Sequence, residues 1–374
     1  MRALIFGTYD TTMHPRVGTI AEGLRASGFD VDECNAPLGL STADRVKLLS
    51  QPWRLPALAG RLGARWATLA RRAHKTPKPD VVVVGYLGHF DVHLARLLFR
   101  KTPIVLDQMV SASGTGKDRG LDGGPRKVLL RAIDAAALSA ADVVVVDTQE
   151  HLDTLPDRFK ERAVVVPVGA PAAWFADASA DKTGPLRVVF YGLYTPLQGA
   201  PVIGEALGLL ADQDIEVTMI GTGQDYAVTR AAAAANPNIH WLDWVASTDL
   251  PELVAGHDVC LGIFGTGDKA LRVVPNKVFQ GAAAGCAIVT SDTPPQRRVL
   301  ADAAVLVPPG DPEALAGALR RLAGDRGEVT RLRQQSRQLA QQQFAPGQVV
   351  APLVRRLQRA GGAAEPAASL RSSR

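Results

Sequence analysis

The chain has 374 residues, of which 47% are hydrophobic and 21% charged. This length allows two domains with separate cores, and the apolar content excludes a disordered or fibrous chain. The net charge of +5 is uneven, because residues 45–79 include nine basic residues and no acidic one, which leaves 33 basic against 37 acidic residues elsewhere. We infer a local basic surface rather than a nucleic-acid partner.

Strand-like and helical stretches alternate along the first half, which predicts a parallel sheet with crossover helices. The runs VVVV at 81–84 and 143–146 lack polar alternation, so we expect them to be buried on both faces. The predicted strands are 2–7, 80–85, 103–107, 142–147 and 163–167. The predicted helices are 17–27, 89–101 and 126–140.

The second half repeats this alternation after a Pro-, Gly- and Ala-rich stretch. The predicted strands are 187–191, 216–221, 238–242, 258–264, 287–291 and 304–307, and the predicted helices are 200–211, 226–236, 276–284 and 313–323. We predict an α/β fold of two Rossmann-like domains that face each other across a cleft. The predicted division is a first domain at 1–168, a linker at 169–186, a second domain at 187–325, closing helices at 326–360 and a disordered tail at 361–374.

Cysteine usage and hydropathy exclude several further classes. Cys34, Cys260 and Cys286 are too few and too widely spaced for a disulfide framework or a zinc knuckle. No stretch approaches the roughly 20 apolar residues of a transmembrane helix, and no secretory signal precedes the first strand. We expect a cytoplasmic protein that needs neither a metal nor a cofactor.

The stretch RVVPNKVFQGAAAGCAIVTSD at 272–292 carries the most chemical information. We expect Pro275 at the first position of a helix, with Arg272 and Lys277 near that end. A helix N-terminus at a cleft binds phosphate through its free N–H groups, and nearby cations add to this. The same residues also fit an alanine-rich helix that packs on a sheet with solvated cations.

This stretch and the order of elements resemble the GT-B glycosyltransferases of family 4, over roughly residues 1–325. That family has two glutamates eight positions apart, and here these positions hold Arg272 and Gln280. It also has an Arg and a Lys on the diphosphate, where this chain has Leu193 and Gln198. The donor-binding residues that the resemblance implies are Gln198, Gly221, Thr222, Trp244, Arg272, Asn276, Lys277 and Gln280.

The resemblance places the acceptor on the first domain. His14 and Arg16 lie in the loop after the first strand, and we expect both on the acceptor side. Family enzymes often have a His at the position of Asp107, and His89 is the nearest substitute. We predict Asp107 and His89 as catalytic residues, with a structural role for each as the alternative.

The basic segment has apolar residues at helical spacing, from Leu55 to Ala73, with cations on a second stripe. Such a basic amphipathic helix is typical of a membrane surface element. A helix packed on the core with a solvated cationic face is the alternative. The predicted membrane patch consists of Arg54, Arg61, Arg65, Trp66 and Arg72.

The resemblance implies a retaining glycosyltransferase with a nucleotide-diphosphate sugar as donor substrate. The expected acceptor is lipid-linked, a cell-surface glycan or a glycosylated metabolite precursor, and an anionic membrane at the inner face is a further partner. Two alternatives stay open. One is a sugar-nucleotide epimerase of the same fold, and the other is a non-catalytic nucleotide-sugar-binding homologue.

Overall fold

The chain folds into two parallel α/β units in the computed structural model. Each unit has a six-stranded parallel sheet, which confirms the predicted α/β architecture of two Rossmann-like halves. The structure describes residues 1–11, 15–39, 55–86, 88–109, 111, 112, 114, 124–175 and 184–362.

The first sheet has the strand order β2-β1-β3-β4-β5-β6. Its strands are β1 (Arg2–Gly7), β2 (Asp30–Asn35), β3 (Val81–Val84), β4 (Ile104–Asp107), β5 (Val143–Val146) and β6 (Ala163–Val165). Its helices are α1 (Arg16–Ala26), α2 (Leu55–Ala73), α3 (Asp91–Leu98), α4 (Gly124–Ala140), α5 (Gln149–Thr154) and α6 (Asp157–Lys160).

Strand β2 is absent from the strands predicted above. Its sequence, DVDECN, is mostly polar, and only Cys34 in it is buried. The reason is its place at the edge of the sheet, where it pairs with β1 alone. An edge strand that buries one side chain lacks the apolar pattern by which the other strands were predicted.

The second sheet has the strand order β12-β11-β10-β7-β8-β9. The chain reverses its direction of winding between β7 and β10, which is where open parallel sheets bind ligands. Its strands are β7 (Leu186–Tyr191), β8 (Ile215–Ile220), β9 (Ile239–Leu242), β10 (Val259–Leu261), β11 (Ala287–Ser291) and β12 (Ala304–Val307). Its helices are α7 (Ala200–Gly208), α8 (Tyr226–Ala232), α9 (Leu250–Ala255), α10 (Asn276–Ala283), α11 (Pro294–Leu300) and α12 (Pro312–Gly324).

Several boundaries in the second half differ from the prediction. Strand β10 stops at Leu261, and the N–H of Phe264 donates to the Gln198 carbonyl at 3.0 Å instead of extending the strand. Pro275 is extended and precedes α10, so it is not the first helical residue. The short helices α9 and α11 were not predicted, since six or seven residues hold too few turns for a periodic signal.

The closing segment returns to the first domain, as predicted. It consists of α13 (Arg326–Leu339), a π-helical turn (Ala340–Phe344), α14 (Pro346–Val349) and α15 (Ala351–Gly362). Leu353 and Leu357 of α15 lie in the core on one face of the first sheet. The two passages of the chain between the domains touch, because the N–H of Ala170 donates to the Phe344 carbonyl at 2.9 Å. The predicted tail at 361–374 lies outside the described residues from position 363 onward.

Two sequence expectations concern the whole chain. Within the described ranges, no helix combines the length and the apolar character needed to cross a membrane. Cys34, Cys260 and Cys286 are buried free thiols. They therefore form no disulfide framework, as expected from their spacing.

We predict that Gly23→Ala weakens the docking of the closing segment on α1. A Cβ at Gly23 would stand 2.3 Å from the Pro346 carbonyl oxygen and 2.7 Å from a Val350 methyl group. Such overpacking costs about 1–3 kcal/mol, measurable as a lower free energy of unfolding in urea. Gly18→Ala is the matched control, because a Cβ there meets nothing within 4 Å. Equal stability of both variants would contradict this account of the contact.

Candidate active site

The carboxyl-terminal edges of the two sheets meet at two adjacent segments of the first domain, the loop after β5 and the helix α5. The Thr148 hydroxyl donates to the Arg272 carbonyl at 2.9 Å. Glu150 accepts two hydrogen bonds from Arg298, at 2.8 and 3.0 Å. The strand ends that carry the predicted acceptor and donor residues therefore lie on either side of one cleft.

Two glycines shape the donor side of this cleft. Gly192 follows β7 with φ +145°, and Gly221 follows β8 with φ +118°, a region that favours glycine. A Cβ at Gly221 would lie 2.0 Å from the Gly192 carbonyl oxygen. The loops after β7 and β8 can approach this closely only because residue 221 has no side chain.

Lys277 is the central charged group of the donor side. It lies in the first turn of α10 and is only 4% exposed. Its Nζ donates to Oε1 of Gln198 at 2.5 Å and stands 3.8 Å from the centroid of the Phe190 ring. Burial lowers the pKa of Lys277 to about 7. The structure thus brings together two predicted donor residues, and Lys277 supplies a cation beside Gln198, where the resemblance expects a lysine.

The other predicted donor residues have different surroundings. Gln280 is buried and accepts a hydrogen bond from the Tyr191 hydroxyl at 3.1 Å. The Arg272 side chain is 42% exposed and lies 3.7 Å from Asp268. Trp244 is 77% exposed and follows β9, at the edge of the sheet. The remaining two, Thr222 and Asn276, are exposed.

Arg16 and Asp107 form a buried ion pair in the first domain. Nε of Arg16 lies 2.9 Å from both carboxylate oxygens of Asp107, and the two side chains are 2% and 0% exposed. The same guanidinium donates to the carbonyls of Val166 and Pro167 at 3.0 and 3.2 Å. Burial raises the pKa of Asp107, and Arg16 opposes that shift. In this structure Asp107 is a partner of Arg16 rather than a free carboxylate in the cleft.

His89, the other predicted catalytic residue, is also buried. Its Nε2 lies 3.1 Å from Oδ1 of Asp134 and 3.2 Å from Nε2 of Gln108. These contacts, all through Nε2, tie the segment before α3 to α4 and to the end of β4. His89 thus makes a packing contact, and its catalytic role stays a prediction. The acceptor-side residue His14 lies outside the described residues.

The loop after β5 contains a histidine that the sequence predictions missed. Nδ1 of His151 is hydrogen-bonded to Oδ1 of Asp147, whose side chain is 3% exposed. The signal available in the sequence is an Asp and a His four residues apart, directly after a buried valine run. Asp147 interacts electrostatically with Asp107 at the end of the adjacent strand.

The predicted membrane patch needs a correction. The indole N–H of Trp66 donates to Oδ1 of Asp91 at 2.8 Å, and the ring packs against the core of the first domain. Arg72 donates to the Asn35 carbonyl. Trp66 therefore faces the protein, whereas Arg72 stays exposed on α2. Arg61 and Arg65 are exposed on α2, and Arg54 lies outside the described residues.

We predict that Arg16→Met lowers the free energy of unfolding by about 3–5 kcal/mol, since it leaves the Asp107 carboxylate buried without its partner. The double variant Arg16→Met/Asp107→Leu should recover part of the loss, because it removes the unpaired carboxylate but not the unpaired carbonyls of Val166 and Pro167. Arg25→Met is the control, because the Arg25–Glu33 pair is nearly half exposed and is worth less than about 1 kcal/mol. Denaturant unfolding measures all three, and a loss in Arg16→Met no larger than in the control would contradict the assignment.

Two family models match this chain, one on each domain. The model described as "Glycosyl transferase 4-like domain" matches residues 11–169. The model described as "Glycosyl transferases group 1" matches residues 185–325. Together they cover both domains except strand β1, which precedes the first match.

Individual relatives agree with the family models. A phosphatidyl-myo-inositol mannosyltransferase of Mycolicibacterium smegmatis is 32% identical over 165 residues, which span 42% of this chain and 42% of that protein. A sucrose-phosphate synthase from Thermosynechococcus elongatus superposes with a TM-score of 0.70 at 15% identity, over 97% of this chain and 99% of the other. Anabaena HepE in complex with UDP-glucose gives a TM-score of 0.67 at 14% identity, over 97% and 100%. The chain belongs to the GT-B glycosyltransferases of the family 4 type.

Proposed function

We propose that this chain is a retaining glycosyltransferase that moves a sugar from a nucleotide-diphosphate donor to an acceptor on the first domain. Lys277 carries the proposal. It is a buried amine at the switch point of the second sheet, and its recorded hydrogen-bond partner is the neutral amide of Gln198. A buried cation is costly without an anion beside it, and a donor diphosphate would supply that anion.

The same geometry suits the departure of the diphosphate. As the bond between sugar and phosphate breaks, negative charge develops on the leaving group, and a cation fixed beside it stabilises the transition state. The exposed Thr222 follows β8, and the half-exposed Arg272 and the exposed Asn276 lie between β10 and the first turn of α10, at the same edge of the second sheet. The retaining outcome follows from the resemblance to family 4.

The relatives support a nucleotide-sugar donor. One solved structure with the same fold contains UDP-glucose, and another contains UDP and glucose. The relative from Mycolicibacterium smegmatis is a mannosyltransferase whose name includes the lipid phosphatidyl-myo-inositol, which supports a lipid-linked acceptor. Its match covers less than half of either protein. The identities of the donor sugar and of the acceptor are therefore proposed.

Binding and product analysis with a panel of nucleotide sugars test this function. Ligand-observed NMR with UDP-glucose, UDP-galactose, UDP-N-acetylglucosamine and GDP-mannose should identify a donor. Release of the nucleoside diphosphate supports transfer, whereas an epimerised donor without release identifies an epimerase. Binding without either reaction indicates a non-catalytic homologue, and the absence of binding contradicts the proposal.

We predict that Lys277→Met weakens binding of the identified nucleotide sugar by about 10- to 100-fold at pH 7, because a charge-assisted hydrogen bond worth roughly 1.5–3 kcal/mol is lost. In the wild type, Lys277 has a pKa of about 7, so its ammonium form predominates below that pH. Above that value binding must take up a proton, so affinity should fall with rising pH, by at most about tenfold per pH unit. Isothermal titration calorimetry at pH 6–9 measures both effects.

Lys101→Met is the control for this experiment, because Lys101 is an exposed lysine of the first domain. It should keep the wild-type affinity and the wild-type pH dependence. The diphosphate of a nucleotide sugar stays ionised over this range, so titration of the diphosphate does not contribute to the pH dependence. Wild-type affinity in Lys277→Met would remove Lys277 from the donor site.

We also propose that α2 brings the first domain to an anionic membrane surface. Arg61 and Arg65 are exposed on the same side of this helix, separated by one turn. Each cation near an anionic lipid surface contributes about 1 kcal/mol. A lipid-linked acceptor would then reach the first domain from the membrane.

We predict that Arg61→Glu/Arg65→Glu reduces the partition coefficient onto vesicles of phosphatidylglycerol and phosphatidylcholine by about tenfold or more, because two attractive charges become repulsive. Vesicle sedimentation measures this partition. Arg355→Glu/Arg359→Glu makes the same change in net charge at exposed positions of α15 and should have a smaller effect. Equal losses would indicate an effect of net charge alone, and a wild type that stays in the supernatant would end the idea.

A further inference from the structure

The loop between β5 and α5 brings an imidazole to the contact between the two domains. Thr148 and Glu150 in this loop bind Arg272 and Arg298 of the second domain, as described above. Asp147 and His151 flank these residues in the same loop and first turn. The dyad of Asp147 and His151 is thus held at the cleft by contacts from both sides.

The hydrogen bond within the dyad determines what the imidazole can do. The carboxylate of Asp147 accepts from Nδ1 of His151, which places the proton of a neutral ring on Nδ1. Nε2 then has a free lone pair and accepts hydrogen bonds. The ring is 19% exposed, whereas the carboxylate that orients it is 3% exposed.

Two other imidazoles in the described ranges have their nitrogens engaged differently. Nε2 of His89 is bound between Asp134 and Gln108 in a buried cluster. His257 lies within 2.9 Å of the Leu253 carbonyl through Nδ1 and of the Thr218 hydroxyl through Nε2. His151 differs from both, because its hydrogen bond to Asp147 uses Nδ1 and its ring is partly exposed.

The charged neighbours of the dyad come from both domains. Asp107 and its partner Arg16 lie at the adjacent strand end, and Asp107 interacts with Asp147. Across the cleft stands Arg272, at the position that the resemblance assigns to a contact with the donor sugar. A hydroxyl group of an acceptor that approaches this sugar enters between these two sides, beside the segment that carries His151.

We propose that His151 binds the reacting hydroxyl group of the acceptor through Nε2, and that Asp147 is its positioning residue. The proposal rests on the proposed glycosyl transfer and adds a contact to it. It replaces His89, which is buried in a packing contact, as the imidazole of the cleft. Water that hydrolyses the donor in the absence of acceptor would use the same contact.

The test compares His151→Gln and Asp147→Asn with the wild type, and His74→Gln is the control, because His74 is exposed just after α2. Calorimetry gives the dissociation constant of the nucleotide sugar that the panel identifies. The rate at which hydrolysis of this donor releases nucleoside diphosphate, without acceptor present, gives turnover. We expect His151→Gln to lower turnover on the order of 10- to 100-fold, with donor affinity within about twofold of the wild type. Asp147→Asn should lower turnover less, since an amide still bonds the ring.

Unchanged turnover in His151→Gln overturns the inference, and so does an equal loss of donor affinity, which indicates a structural effect. A wild type that binds no nucleotide sugar overturns the proposed function itself, so the two failures are distinct. Diethyl pyrocarbonate labelling gives a readout that needs no substrate. His151 should react while His89 stays protected, and an unreactive His151 beside a labelled His74 would show that Nε2 is closed to ligands.

Discussion

The buried pair of Arg16 and Asp107 is the contact on which the arrangement of the first domain depends. One guanidinium holds the carboxylate at the end of β4 and two carbonyl groups just beyond β6. It therefore connects the start of α1, the middle of the sheet edge and the beginning of the passage to the second domain. A neutral side chain at position 16 would leave the buried carboxylate, the buried Val166 carbonyl and the partly buried Pro167 carbonyl without this donor, which explains why an arginine stands there.

The donor side follows the opposite rule. Lys277 is buried as deeply as Arg16 but lies against an amide and an aromatic face instead of a carboxylate. Its lowered pKa records the cost of that environment. A fully paired cation holds a structure together, whereas one without a compensating anion is prepared for a charged ligand. Arg16 and Lys277, two of the buried cations among the described residues, thus have different roles for a physical reason.

The sequence was sufficient for the fold, because the valine runs and the spacing of helices determine two parallel sheets. It also placed Lys277 beside the donor loop, since the motif around Pro275 is local. It was insufficient where partners are distant along the chain. Arg16 and Asp107 are 91 residues apart, and Trp66 turns inward only because Asp91 accepts its indole N–H. His89 and His151 look alike in a sequence, and their burial and partners alone distinguish them.

The two touching passages between the domains restrict how this molecule can open. The chain crosses at residues 166–171 and again near Phe344, where Ala170 and Phe344 share a hydrogen bond and Gly169 packs against Val349. Two crossings side by side form a hinge, which permits rotation of one domain relative to the other and opposes translation. The hydrogen bonds of Thr148 and Glu150 to the second domain are further contacts between the domains, and any rotation about the crossing changes their lengths.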